Sequence, residues 1–325
     1  MTEASEWEIP EAARPTPDDV DFDLDTALSS VLSLRAEIPD DAFTAPILGT
    51  ERAGCGVLIR DNGLVVTIGY LITEAEQVWL TSNRGTAAPA HIVGYDQATG
   101  FGLVQALGRL GVPALELGSA ANSGIGDPVI VAGHGGRRHA LKAQVASKRE
   151  FAGYWEYVLD EAVFTAPAHP NWGGAACIGR DGRLEGIGSL FVQEARGDGR
   201  PLTGNMIVPI DLLPPILDDL LKFGRTNRPP RPWLGMYATE VDDGLVVAGL
   251  VGSGPAQRGG VRVGDAVIEV AGDPVDGLAD LFRRVWALGP AGVEVPLTVV
   301  RDGRAMTFRV RSADRNDFLK QPRLH

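Results

Sequence analysis

Short apolar runs between about residue 45 and residue 210 constrain the fold more than any other feature. Examples are "GCGVLIRDNGLVVTI", "DPVIVAG" and "LEGIGSLFV", and turns rich in Gly, Asn and Asp separate them. Runs of this length between turn residues are typical of antiparallel strands. The 41 glycines and 22 prolines follow no short period, which argues against a collagen-like chain. The sequence therefore predicts a mainly β fold, either a barrel or a sandwich.

The pattern changes twice toward the C-terminus. "DLLPPILDDLLKF" has apolar residues at helical spacing and predicts a closing helix, and the Arg- and Pro-rich "GRTNRPPRP" predicts a linker. A compact unit follows, with an amphipathic helix and a hairpin that turns on Asp302-Gly303. The predicted divisions are an acidic flexible arm (1–27), a first domain (28–223), a linker (224–232), a second domain (233–313) and a tail (314–325).

The charge is concentrated at the N-terminus. Residues 1–41 contain 12 acidic and 2 basic side chains, whereas the net charge of the whole chain is −12. An acidic arm would repel phosphates, so we expect neither nucleic acid nor a membrane surface as a partner. The arm is predicted to be either a disordered solubilising tail or an assembly element that docks on neighbouring subunits through aromatic side chains, namely Trp7, Phe22 and Phe43.

The N-terminal residues include no basic start and no apolar run, so we expect no signal peptide, and no segment is apolar enough to predict a membrane span. Cys55 and Cys177 alone cannot form a metal site and need not form a disulfide. No His pair has zinc spacing and no Gly-rich loop ends in Gly-Lys-Ser/Thr, so no cofactor is expected. A cytoplasmic location is the simplest expectation.

In order along the chain, several stretches resemble the HtrA (Deg) family of serine proteases. They are "GCGVLIRDNGLVVT", "GYDQATGFGLVQ", "NWGGAACIGRDGRLEGI", "GNMIVPI" and "SGPAQRGGVRVGDAVIEVAGDPV". The resemblance covers about residues 45 to 312. It implies a trypsin-like double β-barrel followed by a PDZ domain, and an endopeptidase activity if the catalytic groups are present.

The resemblance places the catalytic triad at three positions that lack the required groups. Tyr70 stands at the base position, and a phenol with an ordinary pKa of roughly 10 keeps its proton at neutral pH. Gly100 stands at the position of the orienting acid and Trp172 at that of the nucleophile. Pro170, at an oxyanion position, has no backbone N–H. We therefore predict an inactive protease fold.

An unconventional cysteine nucleophile is the alternative for catalysis. Cys55 or Cys177 would need exposure and a neighbouring base, for which His134, His139 and His169 are the candidates. Burial of both cysteines and loop or structural roles for the three histidines are the expected outcome.

The second domain keeps features of a PDZ peptide site. The resemblance places the carboxylate-binding loop at Trp233, Leu234, Gly235 and Met236, with a peptide strand added beside "YATE". The helix face predicted to line the pocket comprises Leu278, Leu281, Phe282 and Val285. We expect a peptide- or C-terminus-binding adaptor, scaffold or chaperone-like protein. The alternatives are an endopeptidase and a regulatory subunit of an active HtrA-like protease, and the resemblance also implies a homotrimer.

Overall fold

The computed structural model describes residues 8–242 and 244–320. Two compact units divide the chain. The first contains residues up to Arg149, Glu161–Thr226 and Lys320, and the second contains Glu150–Asp160 and Asn227–Leu319. Residues 150–160, which we name the hairpin tip, therefore belong to the second unit although they lie within the predicted first domain.

The first unit begins with a closed six-stranded antiparallel barrel, whose strands follow the order β1-β2-β3-β6-β5-β4. Branched apolar residues alternate inward and fill its interior, as the fully buried Val57, Leu64 and Leu80 illustrate. Its strands are β1 (Val31–Glu37), β2 (Glu51–Arg60), β3 (Leu64–Ile68), β4 (Gln77–Thr81), β5 (Ala87–Tyr95) and β6 (Phe101–Ala106).

A second closed barrel follows, with the strand order β10-β11-β12-β9-β8-β7. Its core includes Val131, Val163 and Ile207. Its strands are β7 (Pro128–Ala132), β8 (Ala140–Gly153), β9 (Tyr157–Ala166), β10 (Ala176–Ile178), β11 (Leu184–Val192) and β12 (Gly204–Pro209). The helices of this unit are α1 (Leu24–Ser29), α2 (Ala45–Leu48) and α3 (Pro214–Phe223), and α3 is the predicted closing helix.

The described part of the acidic arm, from Glu8 onward, is folded, which differs from the predicted flexible arm. Ile9 and Leu24 are only 3% and 2% exposed, and the Asp23 side chain caps α1 by accepting from the Thr26 N–H at 3.0 Å. Burial of these apolar side chains accounts for the order. The acidic residues also pair with distant basic ones: Arg14–Glu8, Arg138–Glu8, Arg137–Asp25 and Lys142–Asp19. Trp7 lies outside the described residues.

The second unit is a twisted sheet with the order β13-β14-β15-β17-β18, and β16 pairs with β15. The predicted hairpin at Asp302-Gly303 joins β17 to β18, and both turn residues have positive φ. The strands are β13 (Met236–Val241), β14 (Gly244–Leu250), β15 (Ala266–Val270), β16 (Asp273–Pro274), β17 (Glu294–Arg301) and β18 (Arg304–Arg311). Its helices are α4 (Pro255–Arg258) and α5 (Leu278–Ala287).

Candidate functional site

The first unit brings the three positions proposed for the triad close together. Tyr70 lies in a 3₁₀ turn, Gly69–Leu71, directly after β3, and Trp172 lies in the loop before β10. The Tyr70 phenol donates to the Ser189 carbonyl of β11 at 2.9 Å, and a Cβ added to Gly173 of the Trp172 loop would lie 2.9 Å from the phenol oxygen. The carbonyl of Gly100 accepts from the Gly69 N–H at 2.7 Å. Two aromatic side chains thus occupy the positions predicted for the base and the nucleophile.

The phenol of Tyr70 has no capacity to act as a base in this arrangement. Burial raises its pKa well above the ordinary value, and the indole hydrogen bond offsets this only in part. Its proton is committed to the Ser189 carbonyl. Tyr70 is therefore a hydrogen-bond bridge rather than a proton acceptor.

A buried arginine that the sequence analysis did not single out positions the Tyr70 backbone. The Arg52 guanidinium donates to the carbonyls of Tyr70 at 2.7 Å and Thr73 at 3.0 Å, and to the Thr44 hydroxyl at 2.7 Å. Burial lowers the pKa of Arg52 to about 10, opposed by the neighbouring Glu74 carboxylate. The available sequence signal was a charged side chain next to the apolar run of β2.

The Trp172 loop is closely packed against β2 through its two glycines. The Gly173 carbonyl accepts from the Cys55 N–H at 2.8 Å. Gly174 has a φ of 77°, and a Cβ added there would lie 1.8 Å from the Cys55 carbonyl oxygen. Trp172 itself contacts Phe191, with 5.7 Å between the ring centroids. The Gly-Gly pair is explained by this close approach of two backbones.

Neither cysteine has the environment of a nucleophile. Cys55 and Cys177 are free thiols with 0% and 2% exposure. Burial raises the pKa of Cys55 to about 11, with a small opposing effect from the His134 N–H, and burial also raises the pKa of Cys177. Both thiols therefore stay protonated at neutral pH, which disfavours the cysteine-protease alternative.

His169 lies beside the Trp172 loop, where it has a structural role. Its Nδ1 accepts from the Asn171 N–H at 3.1 Å, so the proton belongs on Nε2, which contacts the His139 carbonyl at 3.0 Å. The ring is fully buried, and burial lowers its pKa. With both ring nitrogens engaged, His169 is a neutral scaffold residue.

The second unit places the predicted carboxylate-binding loop around a carboxylate of the chain itself. The Glu156 Oε1 accepts from the N–H groups of Leu234 at 3.1 Å, Gly235 at 2.8 Å and Met236 at 3.3 Å, and Oε2 also accepts from Leu234 at 3.1 Å. Trp233, the first residue of the predicted loop, packs on Phe318 at a centroid distance of 4.8 Å. Sequence analysis did not single out Glu156, because it lies almost 80 residues before the loop.

The helix face predicted for the peptide pocket faces the interior of the second unit. Leu278, Leu281, Phe282 and Val285 are at most 7% exposed and share one core cluster with Leu234 and Met236. Strand β13 is at the edge of the sheet and pairs with β14. The loop, the edge strand and the apolar face of α5 therefore occur in one unit.

Comparisons with known proteins first define the class. The trypsin-like peptidase domain family matches residues 54–187, and the PDZ domain family matches residues 232–311. The chain thus consists of a trypsin-like peptidase domain followed by a PDZ domain, and the predicted mainly β architecture is confirmed.

The relatives then specify the family. A DegP-like periplasmic serine endoprotease of Pseudomonas fulva is 25% identical over 273 residues, which are 80% of this chain and 55% of that protein. The serine endoprotease DegS of Salmonella typhimurium is 25% identical over 276 residues, 79% of this chain and 75% of that protein. The chain spans about half the length of the DegP-like relatives. The predicted resemblance to HtrA (Deg) proteases is confirmed by these relatives.

Solved structures share the fold at low identity. The HtrA-type protease AlgW with a decapeptide gives a TM-score of 0.53 at 19% identity, covering 93% of this chain and all of that chain. The serine endoprotease from Yersinia pestis gives a TM-score of 0.52 at 20% identity, covering 91% of this chain and 99% of that chain.

The names of the relatives correct one prediction. The DegP-like proteins are described as periplasmic, which contradicts the predicted cytoplasmic location. That prediction relied on the lack of a visible leader, a feature that says little about where a chain acts. Within residues 8–242 and 244–320, no helix is long and apolar enough to cross a membrane.

Proposed function

We propose that this chain is a catalytically inactive HtrA-like protein that binds peptides or protein C-termini through its PDZ domain, as an adaptor, scaffold or chaperone-like protein. The observation that carries the proposal is the pair Tyr70 and Trp172, in which the Tyr70 phenol donates its proton to the Ser189 carbonyl. In this proposal these residues hold the positions of the base and the nucleophile. The peptidase-like domain is assigned to residues 28–223 and the PDZ domain to residues 233–313.

The chemistry of acyl transfer supports the proposal. The reaction needs a nucleophile, a base that removes its proton and an acid that orients the base. An indole N–H only donates, the Tyr70 phenol already donates its proton to the Ser189 carbonyl, and Gly100 has no side chain. Pro170 contributes no N–H to an oxyanion hole, and loss of one such donor alone costs roughly 10²–10³ in rate.

Peptide binding is supported by the geometry of the second unit. PDZ domains bind an extended C-terminus as an additional strand, with loop N–H groups that hold its carboxylate. Strand β13 is an edge strand, and the N–H groups of Leu234, Gly235 and Met236 converge on a carboxylate. An HtrA-type relative, AlgW, was solved with a decapeptide.

The test is to incubate the purified chain with unfolded casein, and separately with fluorophosphonate and iodoacetamide probes, with an active DegS-type protease as the positive control. We expect no casein fragments and no fluorophosphonate labelling. Iodoacetamide should label Cys55 and Cys177 only after unfolding, since both are buried. Turnover that disappears in Cys55→Ala or Cys177→Ala would refute the inactive reading.

The regulatory-subunit alternative predicts a different result. Native purification would then recover this chain together with a catalytic HtrA-like protease, and casein turnover would follow that partner. Recovery of this chain in assemblies with itself alone, including the homotrimer implied by the resemblance, would count against the alternative.

A further inference from the structure

Glu156 is held in an unusual way at the end of the hairpin tip. Strand β8 ends at Gly153 and β9 begins at Tyr157, so Glu156 is the last residue of the connecting turn. Its φ is 62°, a left-handed backbone conformation that residues other than Gly, Asn and Asp seldom adopt. It is also only 7% exposed. A glutamate at a strained, buried turn position needs a compensating interaction, and its carboxylate supplies one.

That compensation is the set of N–H groups that a PDZ loop uses for a ligand. Leu234, Gly235 and Met236 all donate to the Glu156 carboxylate, three of the four contacts through Oε1. Gly235 has a φ of 69°, and the Leu234 and Gly235 carbonyls accept from Ala256 and Val251, which fixes the loop. The carboxylate of Glu156 is chemically equivalent to the C-terminal carboxylate of a peptide.

The remaining contacts of the hairpin tip reach both elements that would border a peptide groove. Tyr154 packs edge-on against Tyr237 of β13, with 5.7 Å between the centroids. Arg283 of α5 pairs with Glu150 at 2.5 Å and with Asp160 at 2.6 Å. Val158 is 7% exposed and belongs to the core cluster that contains the apolar face of α5.

We propose that Glu156 is an internal occupant of the carboxylate-binding loop, and that a ligand with a free C-terminus binds by displacing it. This proposal rests on the proposed peptide-binding function and adds the regulation of the same site. Three N–H groups cannot serve two carboxylates at once, and two carboxylates at one loop repel each other. Peptide binding and release of the hairpin tip are therefore mutually coupled.

The class of ligand follows from what the hairpin tip contributes. The competitor must bring a carboxylate to the loop and an apolar side chain to replace Val158 in the core cluster. A peptide that ends in a free carboxylate on a branched apolar residue meets both requirements. The same peptide with a C-terminal amide lacks the charge and adds donors that face the loop N–H groups, so it should not compete.

The experiment uses the full chain and three variants. Glu156→Gly removes the carboxylate and suits the positive φ, so the turn is retained. Glu156→Gln keeps the size and removes the charge. Glu161→Gln removes an exposed charge from β9, the strand that follows Glu156, as the matched control. Thermal unfolding and circular dichroism verify that each variant folds.

Two readouts are measured. The first is hydrogen exchange by mass spectrometry over residues 233–237 without peptide. We expect exchange to be at least tenfold faster in Glu156→Gly than in the unmodified chain, and unchanged in Glu161→Gln. The second is binding of a fluorescein-labelled decapeptide pool that ends in Val with a free carboxylate, compared with the same pool as C-terminal amides. We expect at least tenfold tighter binding of the free-acid pool to Glu156→Gly than to the unmodified chain.

The outcomes separate the two proposals. If hydrogen exchange over residues 233–237 is unchanged in both Glu156 variants, Glu156 does not occupy the loop, whatever affinities the peptide pools show. Equal affinity of the unmodified chain and Glu156→Gly for the free-acid pool would overturn the displacement. Faster exchange in Glu156→Gly without any preference for the free acid would leave the internal occupant standing and refute the proposed binding of C-termini.

Discussion

Replacement of Tyr70 by Phe tests whether the aromatic pair is a structural bridge. The change removes the phenol that donates to the Ser189 carbonyl at 2.9 Å. Ser189 is 5% exposed, so its carbonyl loses a partner that water cannot readily replace. A buried group left without its hydrogen bond costs about 1–3 kcal/mol, and we expect the free energy of unfolding of the first unit to fall by that amount.

A double-mutant cycle separates this bridge from simple packing. Trp172→Phe keeps an aromatic ring near Phe191 but removes the indole donor. Because Trp172 influences the pKa of the Tyr70 phenol, we expect the two side chains to be coupled, so Tyr70→Phe and Trp172→Phe should be non-additive by about 0.5–1.5 kcal/mol.

The assay is guanidinium unfolding followed by circular dichroism, with Tyr154→Phe as the control because Tyr154 is 49% exposed and lies in the second unit. Additive losses, or a loss for Tyr70→Phe below about 0.3 kcal/mol, would refute the bridge.

The remaining predictions concern catalysis, pH and packing. Trp172→Ser should leave casein turnover at background, because Tyr70 and Gly100 supply neither base nor acid; measurable turnover would contradict this. Burial raises the pKa of Glu156 from 4.5 to about 7, against the loop N–H groups and Arg315, with Tyr237 and Tyr154 nearby. Below about pH 7 the bound Glu156 therefore keeps a proton that it releases on displacement, and above that pH it is bound as a carboxylate. Affinity for the free-acid pool should rise by up to about tenfold per pH unit from pH 4.5 to about 7 and then level off, and Glu156→Gln should abolish this slope. Burial alone would raise the pKa of Asp265, but its two hydrogen bonds from Arg301, both at 2.7 Å, and the Arg262 N–H lower it from 3.8. The stability that these hydrogen bonds contribute is present above pH 3.8 and is lost as the pH falls through the lowered pKa. Asp265→Asn should accordingly cost about 3 kcal/mol in urea unfolding, against under about 0.5 kcal/mol for Glu294→Gln in an exposed ion pair. Gly174→Ala should cost more than about 3 kcal/mol because its Cβ would lie 1.8 Å from the Cys55 carbonyl oxygen, whereas Gly199→Ala, with similar φ and open space, should cost about 1 kcal/mol.

Local signals account for the parts of the fold that the sequence predicted. The hairpin at Asp302-Gly303 needs only two residues with positive φ between two strands, and α3 needs only apolar residues at helical spacing. The order of residues 8–27 was missed because it depends on partners far along the chain. Glu8 pairs with Arg138, and Asp19 with Lys142. Composition alone describes such a segment as a solvated tail.

The residues of the candidate sites also divide into those that local sequence indicates and those that depend on distant partners. Tyr70 and Trp172 could be predicted as site positions because each lies at a fixed place in a stretch that resembles a family motif. Arg52 and Glu156 were missed because their roles depend on backbone groups brought near by folding, 18 and about 80 residues away. A single sequence carries no record of which N–H groups converge on a side chain.

The two sites of this chain differ in what their hydrogen-bonding groups are available to do. In the first unit the Tyr70 phenol donates its proton to the Ser189 carbonyl, so this phenol is not available as a base. In the second unit the N–H groups of Leu234, Gly235 and Met236 are paired with Glu156, whose backbone conformation is strained. Release of Glu156 relieves that strain and gives its carboxylate back to water, so a ligand carboxylate can replace it with a modest net change in hydrogen bonding. Under the proposed function, the first site supplies no group for catalysis, whereas the loop of the second unit keeps its donors in a form that exchange with a ligand can expose.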